Sequence, residues 1–163
     1  MDFNRDILPL KNVLYRVALR ITLNKEEAED IVQDILLRLW ERRNKLSTIE
    51  NLEAFALKSV RNLALDRINL MHNKTTIPLD IDQHDHPDSR PLQTETIIRN
   101  EQTASIQEAI NHLPEKQRTA IQLRDIEGKT YKEIAEMMGI TEADVKVNIY
   151  RGRESLKKNC RML

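Results

Sequence analysis

Apolar residues recur at helical spacing along most of this chain. The most regular stripe follows the i, i+3, i+4 rule for three turns. It consists of Ala28, Ile31, Val32, Ile35, Leu36 and Leu39. Asn24 and Glu27, just ahead of it, form a helix start signal. Shorter stripes lie before it, between Leu10 and Ile21, and after it, between Ala56 and Ala64. The pattern therefore predicts three helices in the N-terminal part.

The C-terminal part repeats this helical pattern after residue 96. One stripe comprises Ile106, Ala109, Ile110 and Leu113. A second stripe comprises Ala120, Ile121, Leu123 and Ile126. Pro114 suits the first position of the second helix, and Gly128 stands where that helix should stop. Two further helices are predicted beyond Gly128.

Residues 130–153 contain the most informative pattern, which is two helices with a sharp corner between them. Thr130 and Glu133 can form a capping box at the start of the first helix. Gly139 falls where a helix end favours a left-handed residue, and Thr141 then opens the second helix. The pattern is typical of a helix-turn-helix, whose second helix enters the DNA major groove, although an ordinary helical hairpin also explains a glycine corner.

Residues 72–94 differ in character, since they have three prolines, many aspartates and no apolar periodicity. The sequence thus predicts an all-α protein with two small helical domains, 1–71 and 96–163, joined by a flexible acidic linker at 72–95. Within the linker, His84 and His86 flank Asp85, and Asp88 follows. Their spacing matches no closed zinc pattern, so we expect neither a metal nor any other cofactor.

Charge narrows the choice of partners. The 163 residues contain 26 basic and 26 acidic side chains, yet residues 114–163 carry a net charge of +3. From Lys146 onward there are six basic residues and one acid, Glu154, which is the electrostatic pattern of a helix that follows phosphates. Because the chain as a whole is neutral, we expect it to bind DNA weakly without a partner protein.

Composition and the polar helix faces add further expectations. Cys160 is the only cysteine, and neither a signal peptide nor an apolar run of membrane-spanning length is evident, so we expect a soluble cytoplasmic protein. One face of the most regular helix is a candidate protein-docking surface, because an aliphatic side chain stands among polar ones. A solvated face is the alternative. The candidate residues are Asp30, Gln33, Asp34, Leu37 and Arg38.

Three separated motifs together resemble one family, the extracytoplasmic-function (ECF) sigma factors of RNA polymerase. Residues 27–40 (EAEDIVQDILLRLW) look like the polymerase-binding helix of that family, and residues 59–67 (SVRNLALDR) look like its −10-reading helix. Residues 113–118 (LPEKQR), 133–136 (EIAE) and Val145-Lys146 look like its promoter-reading fourth region. The resemblance covers nearly the whole chain outside the linker.

The resemblance implies a function without catalysis or a small-molecule substrate. The docking face would bind the clamp helices of the polymerase β′ subunit, and the second domain would bind the β flap. Asn62 would capture a flipped −10 base, with Lys58, Arg61 and Ser47 holding the melted strand. The −35 element would be read by Thr141, Glu142, Asp144, Lys146, Asn148 and Arg151. The resemblance also implies an anti-sigma factor as a partner. It does not imply that this chain inserts into a membrane.

Two positions depart from the family pattern. Asn148 stands where arginine is frequent, and Asp144 stands where a small hydroxyl residue is frequent. Asparagine pairs with adenine, and aspartate accepts only from cytosine, so the −35 sequence of other members does not carry over.

Two other function classes compete with this interpretation. A stand-alone helix-turn-helix regulator would need a dimer or sensor interface, and the neutral charge and the second docking helix argue against it. A metal hydrolase around His84, His86 and Asp88 would lack a nucleophile and ligands on rigid elements.

Overall fold

The structure, a computed structural model, describes residues 2–74 and 105–160, and every regular element in these ranges is helical. Short helical turns over Phe3–Ile7 and Leu8–Leu10 precede the helices of the N-terminal half, which are α1 (Lys11–Thr22), α2 (Lys25–Glu41), α3 (Arg43–Leu46) and α4 (Leu52–Lys74). The C-terminal half contains α5 (105–111), α6 (Glu115–Ile121), a π-helical turn (Gln122–Ile126), α7 (Tyr131–Met138) and α8 (Glu142–Cys160). The expected all-α class is confirmed.

Local capping signals explain where several helices begin. The Asn24 side chain accepts a hydrogen bond from the Glu27 amide at 3.0 Å and so caps α2, as the sequence predicts. Asn51 does the same for α4 by accepting from the Ala54 amide at 3.0 Å. These side chains satisfy amides that have no partner within the helix itself.

Two positions expected in apolar stripes need correction, and most of the expected linker lies outside the described residues. Helix α4 is described as far as Lys74, so the first three residues of the expected linker are helical, while the expected domain bounds themselves stay a prediction. Ile126, expected in an apolar stripe, is exposed because it ends a π-helical turn, whose wider hydrogen-bond spacing moves it off the i, i+3 face. Ile106 is also exposed. The rest of the expected linker, including His84, Asp85, His86 and Asp88, lies outside the described residues.

The two halves are packed against each other. In the N-terminal half, α1, α2 and α4 bury one another's apolar faces, and in the C-terminal half α6 and α7 pack on α8. Helices α1 and α4 also contact α6 and α7, so one cluster of buried apolar side chains extends through both halves. The position of each half is therefore fixed by the other in this structure.

The last turn of α1 is completed by the C-terminal half. Leu23 ends the helix in the left-handed conformation (φ 57°), and its amide donates to the Leu19 carbonyl at 2.7 Å. The next two carbonyls, of Arg20 and Ile21, accept from the guanidinium of Arg118 at 2.7 and 2.9 Å. Carbonyls at a helix end need such partners, and here α6 supplies them.

The corner between α7 and α8 generates a stability prediction. Gly139 has φ +68°, and a Cβ added there would meet no heavy atom within 4 Å. Gly139→Ala should therefore lower the free energy of unfolding by about 1–2 kcal/mol through backbone strain alone. Gly139→Asn should cost less, because asparagine tolerates this conformation better. Urea titration followed by circular dichroism measures both, and equal stability of Gly139→Ala and the parent would contradict the prediction.

Candidate nucleic-acid and protein-docking surfaces

A well-defined corner fixes the orientation of α8. The expected capping box is present, since the Glu133 amide donates to Thr130 Oγ1 at 3.1 Å and the Thr130 amide donates to Glu133 Oε1 at 2.9 Å. Beyond Gly139, Thr141 Oγ1 accepts from the Asp144 amide at 3.0 Å and caps α8. This geometry confirms the helix-turn-helix pattern of the sequence.

The inner face of α8 is buried and its outer face is free. Val145 and Ile149, one turn apart, are buried in the apolar cluster. The candidate −35 residues lie on the remaining surface, where all but the half-buried Asn148 are exposed: Thr141, Glu142, Asp144, Lys146, Asn148 and Arg151. The helix thus presents its polar side chains together to solvent.

Interactions within the chain involve some of these side chains. Asn148 Nδ2 donates to the Asp144 carbonyl at 2.8 Å, and Lys146 Nζ lies 5.4 Å from the ring centre of Tyr131. Arg153, one of the basic residues of the tail, is engaged in an ion pair with Asp125. Part of the basic run therefore stabilises the domain.

Two exposed apolar residues on α8 escaped the sequence analysis. Tyr150 is 65% exposed and Val147 is 42% exposed, among the candidate −35 residues. Apolar side chains in a major groove contact the methyl group of thymine. The available signal was their spacing of three and six residues from Asp144, which periodicity alone assigns to no particular face.

The docking face on α2 is an exposed leucine beside an ion-pair network. Leu37 is 60% exposed. Asp30 and Asp34 share the guanidinium of Arg67 on α4, at 2.5 and 3.2 Å, and Glu27 also lies 3.2 Å from it. The hydrogen bond from Arg67 to Asp30 is the largest of the effects that raise the pKa of Arg67. Sequence periodicity could not predict that Arg67 pairs with these carboxylates, because they lie on a different helix.

The other residues of this face are accessible. Gln33 and Arg38 are exposed, and Arg38 lies 3.9 Å from Asp34 one turn away. The exposed Leu37 therefore has polar neighbours along α2, with Gln33 and Asp34 one turn before it and Arg38 next to it, which is the composition of an apolar centre with a polar rim.

The candidate −10 residues divide into accessible and buried groups. Lys58 and Asn62 are exposed on α4, and Ser47 is exposed where its hydroxyl donates to the Asn44 carbonyl at 3.0 Å. Arg61, by contrast, is only 7% exposed. It points toward the C-terminal half, so the structure does not bring it to the surface with the other three.

Arg61 forms a bidentate ion pair with Glu115 at the start of α6. Its Nε and Nη2 donate to the two carboxylate oxygens at 3.0 and 2.8 Å, and its Nη1 donates to the Met138 carbonyl at 3.1 Å. Burial acts to raise the pKa of Glu115, but hydrogen bonds from Arg61 and Thr119 and the nearby positive charges outweigh it, so this pKa lies below its ordinary value. The Glu115 carboxylate therefore remains ionised at neutral pH.

A groove of about 340 Å³ lies between the start of α4 and α7, and its last α4 residue, Lys58, is one turn before Arg61. Lys58 and Phe55 line its α4 side. Glu133 and Glu136 line its α7 side, and Glu50 lies at the loop before α4. Carboxylates therefore outnumber the single lysine there.

Within the described ranges, no group of side chains could hold a metal ion. Nor does any helix described here have the length and apolar character needed to cross a membrane.

The buried inner face and free polar outer face of α8 define a helix-turn-helix DNA-binding protein with a second helical half. Two family models match these halves separately. Residues 7–69 match the model "Sigma-70 region 2", and residues 103–156 match "Sigma-70, region 4". Together they cover most of the chain in the expected order.

Curated relatives agree with this assignment. The ECF RNA polymerase sigma factor SigW of Bacillus subtilis is 29% identical over 99% of this chain and 91% of its own length. The ECF sigma factor SigE of Mycolicibacterium smegmatis is 30% identical over 88% of this chain and 56% of its own, longer sequence.

A solved structure shares the fold. The sigma factor RpoE of Bartonella quintana, crystallised with the anti-sigma factor NepR, superposes with a TM-score of 0.76 at 23% identity, over 98% of this chain and 97% of that one. The chain belongs to the ECF sigma factors of the sigma-70 family, and it is a promoter-recognition factor.

Proposed function

We propose that this chain binds core RNA polymerase through α2, reads a −35 element with α8 and holds a melted −10 strand along α4. The observation that carries this proposal is the outer face of α8, which is polar, partly basic and accessible, while its inner face is buried. Such a helix suits the major groove. It is joined to a separate surface suited to a protein partner, which a sigma subunit needs.

The polymerase-docking surface is proposed to be the α2 face around Leu37. Leu37 would bury its side chain against the β′ clamp helices, and Asp30, Gln33, Asp34 and Arg38 would form the polar rim. Arg67 supports this role, because it holds Asp30 and Asp34 in place from the neighbouring helix. The second half would contact the β flap.

The −10 strand is proposed to follow α4. Asn62 is accessible and has both a donor and an acceptor, so it can pair with the edge of an unstacked base. Lys58 and Ser47 would contact the backbone of the same strand. Arg61 would contact the strand only after its ion pair with Glu115 breaks.

A negative regulator is a further proposed partner. The Bartonella quintana RpoE structure contains the anti-sigma factor NepR, and this chain shares that fold over nearly its full length. We propose that an anti-sigma factor likewise holds this chain, on the surfaces that would otherwise contact polymerase and DNA.

The experiment that tests the function is in vitro transcription with purified core polymerase and a genomic promoter library. We expect the chain to direct initiation at a defined set of promoters. Failure to direct any initiation, together with tight promoter binding in the absence of polymerase, would instead identify a stand-alone regulator.

Docking generates a prediction with closely matched controls. Leu37→Ala combined with Asp34→Arg should abolish co-purification with core polymerase, since a buried leucine at an interface contributes on the order of 2 kcal/mol and the new arginine faces Arg67. Leu70→Ala combined with Glu29→Arg is the control, because Leu70 is 61% exposed against 60% for Leu37. Undiminished binding by the first variant, with its helical circular dichroism intact, would reject the docking assignment.

Strand capture generates a second prediction. Asn62→Ala should leave polymerase binding and closed-complex formation unchanged but reduce open complexes, because Asn62 would meet its base only after melting. Permanganate footprinting of the −10 region measures the melted fraction. If the variant melts promoters as well as the parent does, the capturing residue lies elsewhere.

The −35 surface generates a third prediction. Asn148→Ala should relax preference at one base position at a cost of about 1–3 kcal/mol, and Asn148→Arg should shift that position toward guanine. Lys146→Ala and Arg151→Ala should instead weaken all −35 sequences alike and reduce the salt dependence. Selection from randomised −35 elements distinguishes these effects. An unchanged sequence preference in both Asn148 variants would mean that Glu142 or Asp144 reads the bases.

A further inference from the structure

We propose that the free chain is held in a closed, autoinhibited state in which the C-terminal half sequesters the strand-binding face of α4, with the Arg61–Glu115 ion pair as its central latch. This inference rests on the proposed function, since it concerns the −10 surface named there. It adds an intramolecular control that requires no other protein.

The latch removes a cation from the DNA surface. Arg61 lies between Lys58 and Asn62 on α4, yet all of its hydrogen bonds in the described residues go to Glu115 and Met138 of the C-terminal half. At 7% exposure it is out of reach of a phosphate. Because a carboxylate and a phosphate demand the same bidentate geometry from arginine, Glu115 and DNA compete for one group.

The groove between the start of α4 and α7 also disfavours a nucleic acid. Glu133 and Glu136 line its α7 side. Glu133 also accepts a hydrogen bond from Asn51 Nδ2 at 3.0 Å, which links α7 to the residue just before α4. A single strand laid along Lys58 would pass these carboxylates and Glu50. Carboxylates repel the phosphates of a nucleic acid. Closure therefore lowers the affinity for a single strand electrostatically as well as by burying Arg61.

A second group of contacts holds the closed state on the α1 side. Arg118 donates to the carbonyls of Arg20 and Ile21. Arg20 in turn donates to Gln122 Oε1 and Asn111 Oδ1, both at 2.7 Å. Polar contacts of this kind can be exchanged for contacts with another protein, so domain separation on polymerase binding is physically accessible.

The rim of the interface has two further ion pairs. Arg16 donates to both carboxylate oxygens of Glu127 at 2.8 Å. Lys129 forms an ion pair with Glu53. The outer face of α8 takes no part in closure, so only the strand-binding surface is withheld.

Zero-length carbodiimide cross-linking of the full chain tests whether the closed state exists in solution. An amine and a carboxylate that form an ion pair can be joined directly, so mass spectrometry should find a peptide pair linking Lys129 to Glu53. Unfolding in urea or the change Glu53→Gln should remove it, and saturating core polymerase should suppress it. Absence of this cross-link in the folded free chain overturns the proposal.

Latch variants test whether closure inhibits. Glu115→Gln combined with Glu127→Gln should bind a fluorescein-labelled, random-sequence single-stranded DNA pool at least about tenfold more tightly than the parent, since losing one partner of a buried ion pair strongly destabilises the closed state. It should also lose the Lys129–Glu53 cross-link. Glu108→Gln with Glu154→Gln is the charge-matched control, because Glu108 is exposed and Glu154 pairs with Lys157 of its own helix.

The outcomes separate this inference from the proposed function. Autoinhibition is overturned if the latch variant loses the cross-link but binds DNA no more tightly than the charge-matched control. It is also overturned if the latch variant keeps both the cross-link and the parent's affinity for DNA. In both cases, promoter-specific transcription by the parent chain with core polymerase leaves the proposed function standing. If the parent directs no transcription with core polymerase, the proposed function fails, whatever the cross-link shows.

Discussion

A buried guanidinium must be paired, and this requirement organises the structure around three arginines. Arg20, Arg61 and Arg118 are each at most 9% exposed, and each finds partners in the opposite half of the chain. Burial lowers the pKa of Arg20 and Arg118, and their hydrogen bonds to amide and carbonyl oxygens stabilise the charge that remains. Because these bonds are directional, they fix the placement of α6 against α1 and of α7 against α4.

The helices themselves could be predicted because their signals are local. Asn24, Thr130 and Gly139 act within one turn of their own positions, and the expected caps and corner are present. Ile126 was misplaced because a π-helical turn changes the period that the stripe assumed. The family assignment was predictable for a related reason, since the motifs that carry it are short and contiguous.

The candidate surfaces were predictable only in part. The faces of α2 and α8 follow from amphipathicity, so Leu37 and Lys146 were expected outside and are exposed. Arg61 and Arg67 illustrate what periodicity cannot provide. Both lie on α4 among residues that look equally solvated, yet Arg61 is bound by Glu115 and Arg67 by three carboxylates of α2. Pairings between residues far apart in sequence depend on the tertiary fold, which no single helix encodes.

The end of α1 has a consequence for local dynamics. Two carbonyls of its last turn are capped by Arg118, which belongs to the other half, so that turn is complete only while the halves are in contact. Separation would leave these groups to water and would let the turn fray, while the amides in the middle of α1 stay protected. Amide hydrogen exchange at residues 20–23 would then report the opening of a contact formed about a hundred residues further along the chain. The helix terminus thus serves as a built-in probe of how the two halves separate.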